Sequence, residues 1–189
     1  PVLSRGLGDV YKRQNITDFV TIATAGNATD FGDLNTANEQ SAPNADTTRV
    51  VIAGGTINGG NSVNNIDFFT IASTGNATDF GDMTTAHGAG AGGASSSTRG
   101  LIAGGVSPDK LNTIQFITIQ TTGNSSDFGD TAVSAMHQMG GSSPTRGVVG
   151  SGYNPSITNA MEFVNIMSLG NASDFGDLLV PITDSAGAC

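Results

Sequence analysis

One eight-residue phrase, written four times, decides most of what this chain can fold into. Gly26-Asn27-Ala28-Thr29-Asp30-Phe31-Gly32-Asp33 recurs with small changes from Gly75 to Asp82, from Gly123 to Asp130 and from Gly170 to Asp177, so that successive copies start 49, 48 and 47 residues apart. A period near fifty marks a repeat architecture, in which each unit is one supersecondary motif that buries its apolar faces only against its neighbours. The 189 residues therefore count units, about four of them, and not one or two independent domains.

Aligning the units gives four strands in each. A first segment of small residues runs over 86–94, with its counterpart at 135–142, and a polar turn follows: Ser96-Ser97-Thr98, matched by Ala45-Asp46-Thr47-Thr48 and Ser143-Pro144-Thr145. A second strand covers 99–105, matched by 49–55 and 146–152; each is a short apolar run opened by an arginine and closed by small residues, Gly-Gly in two of the three. Such runs read as buried strands. After a loop of variable length comes a third strand, at 16–23, 66–73, 114–121 and 161–168. Its apolar residues fall on both alternating faces, the pattern of a strand sandwiched between layers. Gly75-Asn76 and its copies read as tight turns, since both residue types accept positive φ. The fourth strand, 78–83 in the second copy, carries the Asp-Phe-Gly-Asp phrase.

Four antiparallel strands per unit, none able to cover both its faces alone, describe the blades of a β-propeller. The expected class is all-β: a propeller fragment of four-stranded antiparallel blades, with a partial blade at 15–35, complete blades at 36–84, 85–132 and 133–180, and the start of a further blade at 181–189. The Gly-, Ala- and Ser-rich first segment suits the innermost strand, where blades crowd together. With its Gly-Gly after the second strand and its length, the unit resembles the kelch repeat. Phe68 or Phe69 then stands near the kelch tyrosine and Phe80 near the kelch tryptophan, so it is kelch-like and departs from that pattern in its aromatics. The Gly-Asn-Ala-Thr-Asp-Phe-Gly-Asp wording, with Thr-Arg-Gly and Gly-Gly, also resembles repeats in virion structural and tail-fibre-type proteins of marine bacteriophages, over residues 15–189. Residues 5–14, Arg-Gly-Leu-Gly-Asp-Val-Tyr-Lys-Arg-Gln, resemble translated sequencing-adapter read-through, which makes 1–14 a non-native leader to be left out of fold reasoning. Together with another copy of the small-residue segment breaking off at Cys189, this implies a piece of a longer repeat protein with further blades of the same chain as its neighbours.

Charge and composition narrow the partners. The net charge of −9, from 7 basic against 16 acidic residues, disfavours nucleic acid and anionic membrane, both of which reward clustered Lys and Arg. No apolar run approaches the length of a membrane span. The single cysteine allows no internal disulfide.

The Asp pairs invite a metal reading: Asp30 and Asp33, Asp79 and Asp82, Asp127 and Asp130, Asp174 and Asp177. Their spacing lacks the alternating oxygen ligands and the bidentate acid of a calcium loop. A structural role is expected instead, with the carboxylates paired to the recurrent Arg49, Arg99 and Arg146, which follow the preceding motif by 16, 17 and 16 residues. Phe31, Phe80, Phe128 and Phe175 read as plugs between blades. Asn15, Asn27, Asn76, Asn124 and Asn171 each start an Asn-x-Ser/Thr sequon, and the turn reading is preferred to glycosylation. His87 and His137 stand at different distances from the arginine that follows each, so they build no recurring metal site. The copper oxidases among kelch-type propellers need a tyrosine–cysteine–histidine set that is missing here. No cofactor, metal or catalytic residue is expected.

Alternating strand direction sorts the connections onto two rims. One holds the near-identical polar and Gly-Asn turns. The other holds the loops after the second strand, which differ in length and character, and scaffolds vary their binding loops while keeping their turns. Asn61, Asp109, Lys110, Tyr153 and Asn154 are the binding candidates there. The function implied is a non-catalytic structural or recognition module, part of a phage fibre or other surface appendage that contacts protein or glycan, in a virion or outside the cell. The alternative is a secreted cellular propeller, a lectin or an enzyme domain whose active residues lie elsewhere.

Overall fold

The computed structural model describes residues 13–184. The leader reading of 1–14 lies, but for its last two residues, outside the described residues, as does the end of the 181–189 segment with Cys189. The described residues form fourteen strands and no helix. β1 (Ile16–Phe19) and β2 (Thr29–Asp33) make a two-stranded sheet. Three four-stranded meanders follow: β3 (Ala42–Ala45), β4 (Arg49–Ala53), β5 (Asn65–Thr70) and β6 (Thr78–Asp82); β7 (Gly92–Ser95), β8 (Arg99–Ala103), β9 (Thr113–Thr118) and β10 (Ser126–Asp130); β11 (Met139–Ser142), β12 (Arg146–Gly150), β13 (Ala160–Asn165) and β14 (Ser173–Asp177). Every pairing is antiparallel between chain neighbours. These are propeller-type blades, and they do not close on one another.

Blades meet through their inner strands. Ser95 Oγ accepts from Ala45 N at 3.3 Å, and Ser142 Oγ accepts from Ser95 N at 3.1 Å, tying β3 to β7 and β7 to β11. At the glycines where these strands approach most closely, a side chain has no room. A Cβ on Gly93 would run into the carbonyl of Pro43, and one on Gly140 into that of Gly93. Only the last three residues of the 86–94 segment pair as a strand, however. Residues 86–91 instead run across the neighbouring loops, held by bonds such as Gly88 N to Val106 O and Gly90 N to Gln40 O.

Apolar cores lie between blades, as strands apolar on both faces require. Val51, Ile66 and Phe80 of one blade pack with Ile102, Ile117 and Ile119 of the next; Leu101, Ile114 and Phe128 pack with Val149, Val164 and Ile166 in the same way. Phe80 and Phe128 are each 2% exposed. Their position depends on a bulge: Ile66 pairs with Gly81 and Asp67 with Asp79, so Phe80 stands unpaired in the ladder, and Phe128 does the same. A bulge re-aims the extra side chain, here into the seam between blades. The ladder also corrects the alignment of the first unit. Thr17 pairs with Gly32 as Ile66 pairs with Gly81, so Thr17, and not Ile16, is the counterpart of Ile66.

Two expectations about the repeated residues are overturned. Among the described residues no carboxylate pairs with Arg49, Arg99 or Arg146. Each guanidinium lies over the aromatic ring of its own third strand, 4.5 Å from Phe68, 4.7 Å from Phe116 and 4.5 Å from Phe163. Those rings meet the motif phenylalanines edge-on, as in Phe68–Phe80 at 6.0 Å and Phe116–Phe128 at 6.2 Å. Arg49 and Arg99 also donate to backbone carbonyls of the following blade, Ile119 O and Ile166 O, each at 3.1 Å. A π face and a carbonyl accept the cation without a second charge to desolvate. The Asp side chains meanwhile stay at the outer edge, six of the eight exposed and Asp33 and Asp130 half-buried.

Nor does Gly-Asn close the hairpin. The chain reverses earlier, with Ser73 N bonded to Thr70 O, and Asn76, Asn124 and Asn171 do not have positive φ. Gly-Asn-Ala instead lies along the previous blade. Gly75 N donates to Phe31 O at 2.7 Å, Ala77 N to Asp33 O at 2.8 Å, and Asn76 Oδ1 accepts from Asp33 N at 3.1 Å. The same three bonds join Gly123, Asn124 and Ser125 to Phe80 and Asp82, and Gly170, Asn171 and Ala172 to Phe128 and Asp130. Each blade thus latches onto the one before it. The glycine of Asp-Phe-Gly-Asp is required for this: Gly81 has φ +142, and a Cβ there would stand 2.6 Å from Gly123 O.

Candidate functional site

The three variable loops are rigid on one side and open on the other. Glycines set their start: Gly54 and Gly55 have φ +65 and +103, Gly104 and Gly105 +67 and +91, and in the next blade Ser151 takes the left-handed position at +53 before Gly152. These residues turn the backbone so that Gly55 N reaches His87 O and Gly105 N reaches Ala135 O, both at 2.8 Å. Each loop is then pinned by a bridge to the inner segment of its own blade: Glu39 with Thr56, Gly88 with Val106, and Met136 with Tyr153. Ser62 Oγ donates to Val106 O at 2.6 Å, which joins two of the loops directly.

Of the five residues expected to bind, the fold brings two together. Lys110 Nζ lies 5.0 Å from the centroid of the Tyr153 ring, which leaves the ring partly open to solvent. Asp109 is exposed at the tip of the same loop as Lys110, its carbonyl accepting from Ser107 N. Asn154 is half-buried and its N–H is used by Ser156 O, while exposed Asn61 sits on the first loop, where its carbonyl accepts from Ile57 N. Asn58 of that loop and Glu39 both accept from Arg13, at 3.3 and 2.6 Å.

Inside this rim, between the inner strands, lies a cleft of about 510 Å³. Its walls are Gly, Ala, Ser and Pro from β3, β7 and β11, and its mouth is polar. His137 Nδ1 is 2.7 Å from Asp184 Oδ1 and 3.4 Å from the amide of Gln40. These residues share a place in the repeat. Gln40, Ala89, His137 and Asp184 all adopt φ between +50 and +59, at the point where each blade enters its inner segment. Sequence reasoning missed the cluster because it compared the two histidines with each other. Gln40 and His137 each precede their blade's arginine by nine residues, and that shared register was the available signal.

His87, by contrast, belongs to the core. It is fully buried, with Nε2 receiving the Gln115 amide N–H at 2.7 Å, and burial pushes its pKa down to about 4. Gln115 holds a position that recurs. Its Oε1 accepts from Thr84 N at 2.9 Å, as Asp67 accepts from Asn35 N at 3.2 Å and Glu162 from Ala132 N at 2.8 Å. All three acceptors are buried and reach back to the preceding blade. Their differing side chains, Asp, Gln and Glu, hid this second latch in the sequence.

Among the described residues there is no group of three or more His, Cys, Asp or Glu side chains able to hold a metal ion. No protein-family model matches the chain, and no curated protein matches it either.

Proposed function

We propose that the chain is a non-catalytic recognition module that contacts protein or glycan through the rim of loops 56–62, 106–110 and 153–157 and the mouth of the adjoining cleft. One observation carries this reading: the two rims are used differently. On the first rim the Gly-Asn-Ala segments spend their hydrogen bonds holding blades together. On the second, Lys110, Tyr153, Asp109, Asn61, Gln40, His137 and Asp184 present polar or aromatic groups that the scaffold does not need. Exposed Tyr beside a cation, with amide and carboxylate groups around it, suits hydroxyl-rich or peptide surfaces. Against catalysis, the cleft serines Ser95 and Ser142 occupy the far end of the inner strands from His137, with their oxygens engaged by backbone N–H groups. Ser41 makes no hydrogen bond to His137, whose Nδ1 faces Asp184 and Gln40. A nucleophile needs its base within hydrogen-bond reach.

The resemblance to kelch-like and virion fibre repeats fits a module of this kind on a phage fibre or another extracellular appendage. The test is a glycan microarray and a host-surface binding assay with the full chain, beside Tyr153→Ala and Lys110→Ala. Binding that both substitutions abolish supports the proposal. Blank arrays together with no surface binding overturn it, as does binding indifferent to both substitutions.

A further inference from the structure

Of the asparagines in this chain, Asn58 alone is followed by glycine. An asparagine side chain loses its amide by attack from the peptide nitrogen of the next residue. Three local conditions decide whether it does. The side chain must be reachable by solvent, the attacking N–H must be free of other bonds, and the peptide plane between them must be able to turn.

The latch asparagines meet only the first condition. Asn76, Asn124 and Asn171 accept through Oδ1 from Asp33 N, Asp82 N and Asp130 N. The nitrogens that would attack them, Ala77 N, Ser125 N and Ala172 N, donate to Asp33 O, Asp82 O and Asp130 O at 2.8, 2.9 and 2.8 Å. Both partners of the reaction are held between blades.

Asn58 meets all three. It is exposed together with Gly59 and Gly60 on the first variable loop. Its Oδ1 accepts from Arg13 Nη1 at 3.3 Å, and Gly59 N–H has no acceptor among the described residues. The turn is closed one residue further on, by Gly60 N to Ile57 O at 3.0 Å. Gly59 and Gly60 have φ +92 and +81; a Cβ on Gly60 would meet nothing within 4 Å, and one on Gly59 only the Asn61 amide at 3.4 Å. Glycine leaves the Asn58–Gly59 peptide plane free to swing towards the side chain, with no Cβ to crowd the ring that forms.

We infer that Asn58 is a self-modifying site on the variable rim. Gly59 N gives its proton to solvent hydroxide and attacks Cγ of Asn58. Ammonia leaves, taking its third hydrogen from water, and a five-membered succinimide closes. Water then adds to one of the two ring carbonyls. Opening at the Cγ–N bond leaves aspartate; opening at the other carbonyl leaves isoaspartate, with the main chain routed through the side chain. In sum, one amide and one water become one carboxylate and one ammonium, and nothing is oxidised or reduced. The new carboxylate is ionised at neutral pH and shares Arg13 with Glu39, which already accepts from it at 2.6 Å. Isoaspartate also lengthens the main chain between Ile57 and Gly60, whose bond closes the turn. The rim therefore gains negative charge and changes shape as the molecule ages, whatever it binds.

Ageing the folded full chain at mildly alkaline and mildly acidic pH, followed by peptide mass spectrometry, tests this. The Asn58 peptide should exchange NH for O in mass and split into two chromatographically separate products, isoaspartate in excess, faster at the alkaline pH. The Asn76, Asn124 and Asn171 peptides should keep their amides. Gly59→Ala should preserve the Asn58 amide over the same interval. Alanine at φ +92 strains the loop, so Asn58→Asp serves as a second reference, and aged wild type should move to its position on ion exchange. An Asn58 that stays intact in the folded chain while converting in urea overturns the inference. Equal conversion at the latch asparagines, or a Gly59→Ala chain that converts as fast as wild type, overturns it as well.

Discussion

Gly81 and Gly176 hold the same place in two blades and differ in one respect, which makes them a measuring pair. Both lie at positive φ, +142 and +125, so alanine at either one is strained by about 1–3 kcal/mol. At Gly176 nothing else is touched. At Gly81 the new Cβ would collide with Gly123 O and C, both at 2.6 Å, and approach Asn124 N to 3.1 Å. The collision drives the latch away and disrupts Gly123 N to Phe80 O at 2.7 Å and Asp82 N to Asn124 Oδ1 at 3.0 Å. Two such bonds are worth about 1–3 kcal/mol together. Gly81→Ala should therefore destabilise by about 2–6 kcal/mol and Gly176→Ala by about 1–3 kcal/mol, the strain range with and without the bond range. Urea unfolding followed by far-ultraviolet circular dichroism, at concentrations where the chain is monomeric, gives both values. Hydrogen exchange at the Gly123 amide should quicken only in the Gly81 variant. Equal destabilisation by the two substitutions, with Gly123 still protected, would refute the latch.

Other consequences can be checked with the same preparations. Phe128→Ala empties a buried seam and should lower stability by about 3–5 kcal/mol, whereas Phe175→Ala, half-exposed, should lower it much less; equal losses would contradict the seam assignment. His87 is held neutral by burial, with its pKa lowered from 6.5 to about 4. Below pH 6.5 the unfolded chain therefore binds a proton that the fold refuses. Stability tied to this group is whole above that pH and falls by about 3 kcal/mol as pH drops to about 4, a slope that should disappear from urea midpoints in a His87→Gln variant. Arg99 sits on Phe116 and bonds Ile166 O, so Arg99→Met should lose about 1–2 kcal/mol, and by almost the same amount at low and high salt. A loss that shrinks strongly with salt would restore a carboxylate partner.

The sequence by itself determined the unit, its four strands and their order, because period, alternation and glycine placement are local constraints that each copy states again. It also marked the variable loops, whose differences are visible within one chain. Only the tertiary structure decided what the repeated polar residues do. Arginine and aspartate recur together, yet a common period says only that both belong to the unit; the guanidinium chose a ring and a carbonyl, and the aspartates stayed in solvent. Asn76 and its copies sit beside glycine like turn residues, but the backbone N–H that each side chain accepts from lies 43, 42 and 41 residues away on another blade. The same holds for Gln40, His137 and Asp184, which meet only where three inner segments converge. Gly-Asn-Ala-Thr-Asp-Phe-Gly-Asp is legible in one dimension as a strand and a turn. It works as a latch because stacking places one copy against the next: every copy carries both halves, and the two halves that meet come from neighbouring units.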